Sequence, residues 1–278
     1  MSGTLGIIAG GDRAPFQLVQ ALERAGRKFF LFCLKGHADE ALPQHHPHIW
    51  LKLGEGEKLL NAAKSAGVYD VVMIGRVRRP SLLELQPDAL ALKTIARVGL
   101  NMLGDDGLLK AIARTIEEEG FRLIAPQDIW RDDLMPAGFL TSHRPDDQAM
   151  IDLRRAYAVA KQLGLADVGQ AVVVQQGLVL GVEAIEGTQA LLQRAATLRR
   201  EGGGGVLLKI CKPQQDKRFD LPAMGAATVA DATAAGLVGV ALQAGAGLLL
   251  ERAPMLAAAE QLGLFVWGFS PAELEENG

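Results

Sequence analysis

The residues best suited to chemistry lie in a loop between Lys209 and Gly225, after an apolar stretch predicted to be a buried strand. Pro213 and Pro222 restrict the backbone of this loop. Its charged side chains are Lys209, Lys212, Asp216, Lys217, Arg218 and Asp220. Such cations bind phosphate oxygens, and carboxylates bind hard divalent metal ions. The loop therefore indicates a site for a phosphate ester and a metal; the alternative is a surface loop with ordinary ion pairs.

The position of the loop favours the functional interpretation, because α/β proteins hold ligands beyond the carboxyl ends of their strands. Asp216 and Asp220 are four residues apart and could share one Mg²⁺, while the neighbouring cations contact phosphate. A predicted hairpin nearby supplies further polar groups that could complete a second shell. These are Asp167, Gln170, Glu183 and Glu186.

The bulk composition excludes several classes of protein. The 278 residues suggest one large or two medium domains, and 49% hydrophobic with 22% charged residues is an ordinary globular balance. A net charge of −3 gives no general electrostatic case for binding nucleic acid. Cys33 and Cys211 lack metal-ligand spacing, which predicts reduced, buried thiols as in a cytosolic protein.

The sequence predicts neither a secretory signal nor a membrane-spanning segment. Gly10, Gly11 and Asp12 interrupt the first apolar run too early for a secretory signal. The longest apolar region, residues 232–250, contains several glycines and two polar residues, so we predict a helix end, a turn and a strand there. Any membrane contact would be peripheral.

The N-terminal half alternates strands with helices, which predicts a parallel sheet. Gly10 and Gly11 follow the first strand and precede a helix, as in nucleotide-binding domains. Asp12 and Pro15 stand where a dinucleotide fingerprint has glycines, and no acidic residue ends the second strand, which argues against an NAD site. Another nucleotide and a tight packing turn remain open alternatives.

Further candidates follow the fourth strand and open a later helix. Arg76, Arg78 and Arg79 come directly after that strand, and arginine suits bidentate contacts to phosphate. Asp106 is most simply the N-cap of the helix 108–119, so Asp105 is the better candidate for a site residue. The four histidines between residues 37 and 48 match no metal motif and are predicted to lie at the surface.

The C-terminal half begins after an irregular stretch, residues 126–150, that resembles a linker. A helix over 146–163 would bridge the two parts. Gln176-Gly177 predicts the turn of a β-hairpin. Thr188 is predicted to cap the helix 189–200, and Thr228 to begin a capping box for the helix after the charged loop.

Six motifs run in order across most of the chain, and the last is long and specific. They are Gly6-Ile-Ile-Ala-Gly-Gly11, Gly75-x-x-x-Arg79-Pro80, Gly104-Asp-Asp106, Asp167-Val-Gly-Gln170, Glu183-Ala-Ile-Glu-Gly-Thr188 and Lys212-Pro-x-Gln-Asp216-x-Arg-Phe-Asp220-x-Pro-x-x-Gly225-x-x-Thr228. Together they resemble the UDP-2,3-diacylglucosamine pyrophosphatases of the LpxI type. Two departures are Gln189, where members have Asp, and a first glycine loop with fewer glycines.

The resemblance implies Mg²⁺-dependent (or Mn²⁺-dependent) hydrolysis of UDP-2,3-diacylglucosamine in lipid A biosynthesis. The products would be UMP and 2,3-diacylglucosamine 1-phosphate (lipid X), with water attacking the sugar-side phosphorus. It also implies a cytoplasmic protein, peripheral on the inner face of the bacterial inner membrane. A homo-oligomer is compatible with this assignment. The alternatives are a nucleotide-sugar transferase and a non-catalytic nucleotide-binding regulator.

The predicted fold is α/β with two domains and the ligand in the cleft between them. A Rossmann-like parallel sheet spans 1–130, a linker and bridging helix 131–163, and a mixed α/β domain with the catalytic loop 164–278. The predicted catalytic residues are Asp220, Asp216 and Lys212, and the predicted metal ligands are Asp216, Asp220 and Glu183. The predicted substrate-binding residues are Gly10, Gly11, Arg79, Asp105, Gln170, Thr188, Lys209, Gln215, Arg218, Gly225 and Thr228.

Overall fold

The structure, a computed structural model, describes two compact units. The described residues are 3–78, 87–98, 105–129, 133–213, 216, 218 and 221–275. The first unit runs to residue 129 and also includes residues 216 and 218. The second unit contains the described residues from 133 to 213 and from 221 to 275.

The first unit is built on a five-stranded parallel sheet in the order β3-β2-β1-β4-β5. Its strands are β1 (Thr4–Ala9), β2 (Phe29–Leu34), β3 (His48–Leu51), β4 (Val68–Ile74) and β5 (Arg122–Leu123). Its helices are α1 (Ala14–Arg24), α2 (Gly56–Ser65), α3 (Ala89–Val98), α4 (Asp105–Glu118) and α5 (Pro126–Ile129). The central strands are almost wholly apolar because helices cover a parallel sheet on both faces. The predicted Rossmann-like sheet is confirmed, and its strand order reverses between β1 and β4.

The second unit is built on a six-stranded mixed sheet in the order β6-β13-β11-β9-β7-β8. The strands of this sheet are β6 (Gly138–Phe139), β7 (Ala171–Gln175), β8 (Leu178–Val182), β9 (Val206–Lys209), β11 (Gly239–Gln243) and β13 (Phe265–Phe269). Two short strands, β10 (Ala223–Met224) and β12 (Leu248–Leu249), pair in a separate parallel sheet. The helices of the unit are α6 (Asp147–Leu165), α7 (Thr188–Thr197), α8 (Ala226–Ala234), α9 (Arg252–Gln261) and α10 (Pro271–Leu274). Strands β9, β11 and β13 are parallel, whereas β6, β7 and β8 pair antiparallel, as a mixed α/β domain requires.

The helix predicted to bridge the domains, α6, packs inside the second unit. Asp146 caps it by accepting a hydrogen bond from the Ala149 N–H. Its apolar face, which includes Leu153 and Ala160, joins the core formed by one face of β7 and β9. On the other face of the sheet, α7, α8 and α9 cover a second core.

The predicted hairpin turn at Gln176-Gly177 is confirmed. Both residues have positive φ, 53° and 75°, as a two-residue turn between β7 and β8 requires. The Asp152 carboxylate of α6 accepts the backbone N–H groups of both turn residues, which fixes the hairpin to that helix.

Cys33 and Cys211 are buried and form no disulfide, and burial raises the pKa of the Cys33 thiol to about 11, far from the reactive range. Among the described residues, no helix has the length and apolar character needed to cross a membrane.

Candidate functional site

The glycine loop after β1 packs against the loop after β4. The N–H of Gly10 donates to the Ile74 carbonyl at 2.8 Å, and the N–H of Gly11 donates to the Arg76 carbonyl at 2.8 Å. A Cβ at Gly10 would lie 2.6 Å from the Arg76 oxygen, so glycine is what allows this approach. Because these two amides are already hydrogen-bonded, a nucleotide at this loop would have to use other groups.

The other N-terminal candidates are only partly described. Arg79 lies outside the described residues. Helix α4 begins at Asp105, three residues before the predicted start at residue 108, so Asp106 lies inside the helix rather than capping it. The side chains of both aspartates lie outside the described part of the structure.

In the charged loop, the carboxylate of Asp216 is bound by Arg218. The guanidinium donates to both carboxylate oxygens, with Nη2 2.7 Å from Oδ2, and the backbone N–H of Arg218 donates to Oδ1. Hydrogen bonds from Arg218 are the main reason that the pKa of Asp216 is lowered. The same guanidinium pairs with Glu117 of α4. A metal at Asp216 would therefore compete with Arg218, while Asp220 and Gln215 lie outside the described residues.

Three side chains form a hydrogen-bonded chain at the end of β9. Lys209 pairs in register with Ala171 of β7, and the β7–β8 pairing brings Glu183 to the other side of the same residue. Lys209 and Glu183 therefore share one face of the sheet. Thr188, the first residue of α7, joins them: its hydroxyl donates to Glu183 Oε1 at 2.6 Å and accepts from Lys209 Nζ at 2.8 Å.

This chain of side chains is buried. Lys209 is 4% exposed and Glu183 is 7% exposed. Lys209 Nζ also donates to the carbonyl of Ala223 at 2.9 Å, two residues before the N-cap of α8. The second carboxylate oxygen of Glu183 is buried and has no hydrogen-bond partner among the described residues.

A second buried ammonium lies nearby in sequence, at Lys212. Its Nζ is 2.7 Å from Oδ1 of Asp167, which follows α6 in a left-handed conformation with φ 55°. Gln170, just before β7, accepts the Ile210 N–H through its backbone carbonyl. Its side-chain Oε1 is buried and has no partner in the described part of the chain. The second unit thus brings two lysines, two carboxylates and an unsatisfied amide to one end of its central strands.

In the second unit, two more predicted helix caps were wrong. The N-cap of α7 is Gly187, with φ 82°, and Thr188 is the first helical residue. The N-cap of α8 is Gly225, so Thr228 is the third helical residue, and its hydroxyl accepts the Gly225 N–H at 3.3 Å. Gly187 and Gly225 thus occupy the two cap positions. Because Thr188 is not the cap of α7, its hydroxyl bonds to Glu183 and Lys209 instead.

Comparisons with known proteins cover nearly the whole chain. The model of the LpxI N-terminal domain matches residues 4–132, and the model of the LpxI C-terminal domain matches residues 136–267. The chain belongs to the LpxI family. It is 40% identical over 276 residues, 97% of this chain and 98% of the relative, to the UDP-2,3-diacylglucosamine pyrophosphatase LpxI of Caulobacter vibrioides.

The described side chains of this LpxI-family chain do not group around a common point where a metal ion could bind. Among the described residues, no three His, Cys, Asp or Glu side chains are grouped to hold a metal. Asp216 is engaged by Arg218, Glu183 is hydrogen-bonded next to Lys209, and Glu186 pairs with Arg194 at 2.7 Å. The described side chains therefore do not by themselves form a Mg²⁺ site.

The residue that sequence reasoning missed in this LpxI-family chain is Glu117. It is the second-last residue of α4 and lies 101 residues before Arg218, so no local pattern could have linked the two. By contrast, Asp167, Gln170 and Glu183 stand out in sequence because they cluster around a predicted hairpin.

Proposed function

We propose that this chain hydrolyses the pyrophosphate bond of UDP-2,3-diacylglucosamine and releases UMP and 2,3-diacylglucosamine 1-phosphate. The observation that carries this proposal is 40% identity, over nearly the full length of both chains, to a UDP-2,3-diacylglucosamine pyrophosphatase. Both LpxI domain models match in the expected order, so the two parts of such an enzyme are present. The reaction would place this protein in lipid A biosynthesis.

The buried lysines suit an anionic pyrophosphate. Lys209 is held at two oxygen acceptors and Lys212 at Asp167, so both ammonium groups are fixed in place before a ligand arrives. Fixed cations in a water-poor site stabilise developing phosphate charge more strongly than mobile surface lysines do. This arrangement supports a phosphoryl-transfer site in the second unit.

We further propose that the reaction requires Mg²⁺, with Mn²⁺ as a substitute. The support is the pair Asp216 and Asp220, four residues apart in the charged loop, together with the chemistry of pyrophosphate cleavage. A hard cation would neutralise phosphate charge and lower the pKa of an attacking water. EDTA should abolish turnover, and added Mg²⁺ should restore it; full activity after exhaustive chelation would remove the metal from the proposal.

The test of the activity is UMP release from UDP-2,3-diacylglucosamine by the purified chain without any acceptor. A nucleotide-sugar transferase would need an acceptor, and a non-catalytic regulator would bind without turnover. The matched variant is Asp220→Ala, which should fold, bind substrate and lose turnover by about 100-fold or more. Near-parental turnover in Asp220→Ala would remove that residue from the catalytic assignment.

Contact with the inner face of the inner membrane is also a proposal. Ile185 is 89% exposed and lies two residues after Glu183, so an apolar side chain is presented close to the candidate site. Ile185→Asp should lower turnover of substrate in phospholipid vesicles more than turnover in detergent micelles. Leu262→Asp, at an exposed position after α9, is the matched control and should change neither rate.

A further inference from the structure

The buried position of the Glu183 carboxylate does not favour the stability of the fold. One oxygen accepts from Thr188, while the other is buried and has no partner among the described residues. A buried acceptor without a partner opposes folding, so a protein keeps one where the group does something else. The Glu183 carboxylate accepts a hydrogen bond from Thr188, which in turn holds Lys209.

The ammonium of Lys209 lies where an anion is favoured. It contacts the hydroxyl of the first residue of α7 and a carbonyl two residues before the N-cap of α8. Helix N-termini carry a partial positive charge, and the lysine ammonium carries a full one. An anionic group is what this arrangement would stabilise, and the proposed substrate supplies one in its pyrophosphate.

We propose that Glu183 and Thr188 are positioning residues that fix Lys209 Nζ to bind a phosphate oxygen of the substrate, and that Glu183 is not a metal ligand. This inference rests on the proposed function for the identity of the anion. Thr188 must donate to Glu183, because the ammonium can only donate; its hydroxyl oxygen is thereby turned toward Lys209. The carboxylate thus sets the direction of the hydroxyl, and the hydroxyl sets the position of the ammonium.

The surrounding charge argues against a divalent cation on Glu183. Its hydrogen-bonded oxygen is one hydroxyl away from a buried ammonium, which would repel a second cation at short range. Metal-binding carboxylates are normally grouped with other oxygen ligands, whereas the described residues contain no such group here. In this proposal Glu183, predicted from the sequence as a metal ligand, instead orients a phosphate-binding lysine.

Three variants test the inference on the full chain. Thr188→Val removes the hydroxyl at nearly constant shape, Thr188→Ser keeps it, and Glu183→Gln removes the charge. The readouts are inorganic pyrophosphate binding by calorimetry, KM and kcat for the lipid nucleotide, and the Mg²⁺ concentration for half-maximal rate. Melting temperatures establish that each variant is folded.

We expect Thr188→Val to weaken pyrophosphate binding and raise KM by about 10-fold or more, because the ammonium is no longer held in one position. Thr188→Ser should lie within about 2-fold of the parent. Glu183→Gln should weaken pyrophosphate binding by about 5-fold or more and leave the Mg²⁺ requirement within about 2-fold of the parental value.

Parental binding in both Thr188→Val and Glu183→Gln, or a Thr188→Ser variant as weak as Thr188→Val, would overturn the positioning role. A Glu183→Gln variant whose Mg²⁺ requirement rises by about 10-fold while pyrophosphate binding is unchanged would make Glu183 a metal ligand. If Thr188→Val does not fold, Glu183→Gln alone decides. Pyrophosphate binding without hydrolysis of the lipid nucleotide would refute the proposed function and leave the positioning role intact.

Discussion

The guanidinium of Arg218 binds the carboxylate of Asp216, with Nη2 2.7 Å from Oδ2. This contact lowers the pKa of Asp216 below its ordinary value of 3.8. A carboxyl with a lowered pKa in the folded state contributes stability that is complete above the unfolded pKa and is lost as pH falls through the folded pKa. Asp216→Asn should therefore be less stable than the parent at about pH 5 to 7, and the difference should shrink below about pH 4.

The measurement is the melting temperature of both proteins as a function of pH. Arg218→Gln breaks the same pair from the other side and should show the same dependence on pH. The effect should be small, because the Arg218 side chain is well exposed and solvent screens it. A stability difference that is undiminished at about pH 2 would show that the pair does not carry it.

The ion pair between Lys212 and Asp167, at the candidate site, should contribute to the stability of the fold. Lys212 is 9% exposed, so removing the charge of its partner leaves a buried ammonium poorly compensated. Asp167→Asn should cost about 1–2 kcal/mol, since Asn tolerates the left-handed backbone at this position but carries no charge. Urea denaturation of Asp167→Asn, Lys212→Met and the double variant should show that the two changes cost less together than their sum. Strict additivity would contradict a direct interaction.

The close approach of the loops after β1 and β4 should make Gly10 intolerant of a side chain. A Cβ there would lie 2.6 Å from the Arg76 oxygen and 2.7 Å from the Gly75 oxygen. Gly10→Ala should therefore cost about 1–3 kcal/mol in stability through overpacking. Gly3→Ala, which would have nothing within 4 Å of its Cβ, is the matched control and should stay within about 0.5 kcal/mol of the parent. Equal effects at the two positions would show that packing of the loops is not the cause.

The fold could be predicted where the signal is local and periodic. Strands that alternate with helices gave the parallel sheet of the first unit, and Gln176-Gly177 gave the turn of the hairpin in the second. Both patterns act over a few residues, so the chain carries them without reference to distant contacts.

The hydrogen bonds of the site could not be predicted in the same way. Thr188 was expected to cap a helix, but Gly187 takes the cap and the Thr188 hydroxyl bonds to Lys209, 21 residues later. The partner of Arg218 in α4 is even more distant in sequence. Such contacts depend on which strands become neighbours, and that is decided by packing of the whole unit. The roles of Asp220, Arg79 and Gln215 stay predictions, since these residues lie outside the described structure.

The stability of the β7–β8 hairpin, which Glu183 directly follows, should depend on the Asp152 carboxylate at the turn. Asp152 is 1% exposed and accepts the N–H groups of Gln176 and Gly177 at 2.9 and 2.6 Å. Asp152→Ala would leave both turn amides without that acceptor and should cost about 2–4 kcal/mol. Amide hydrogen exchange should rise most at the two turn residues, with slower changes elsewhere in β7 and β8.

The control for this prediction is Asp147→Asn, at an exposed position in the first turn of the same helix. It should cost less than about 1 kcal/mol, because it loses only the interaction of its charge with the helix N-terminus. Asp152→Asn keeps one oxygen acceptor and should fall between the two. Below its melting temperature, Asp152→Ala should retain parental KM and kcat, since Asp152 touches the turn and not the end of β8 that precedes Glu183. An exchange pattern that is unchanged at Gln176 and Gly177 would contradict the prediction. It would show that water replaces Asp152 without loss and that apolar packing of β7 and β8 holds the hairpin in place.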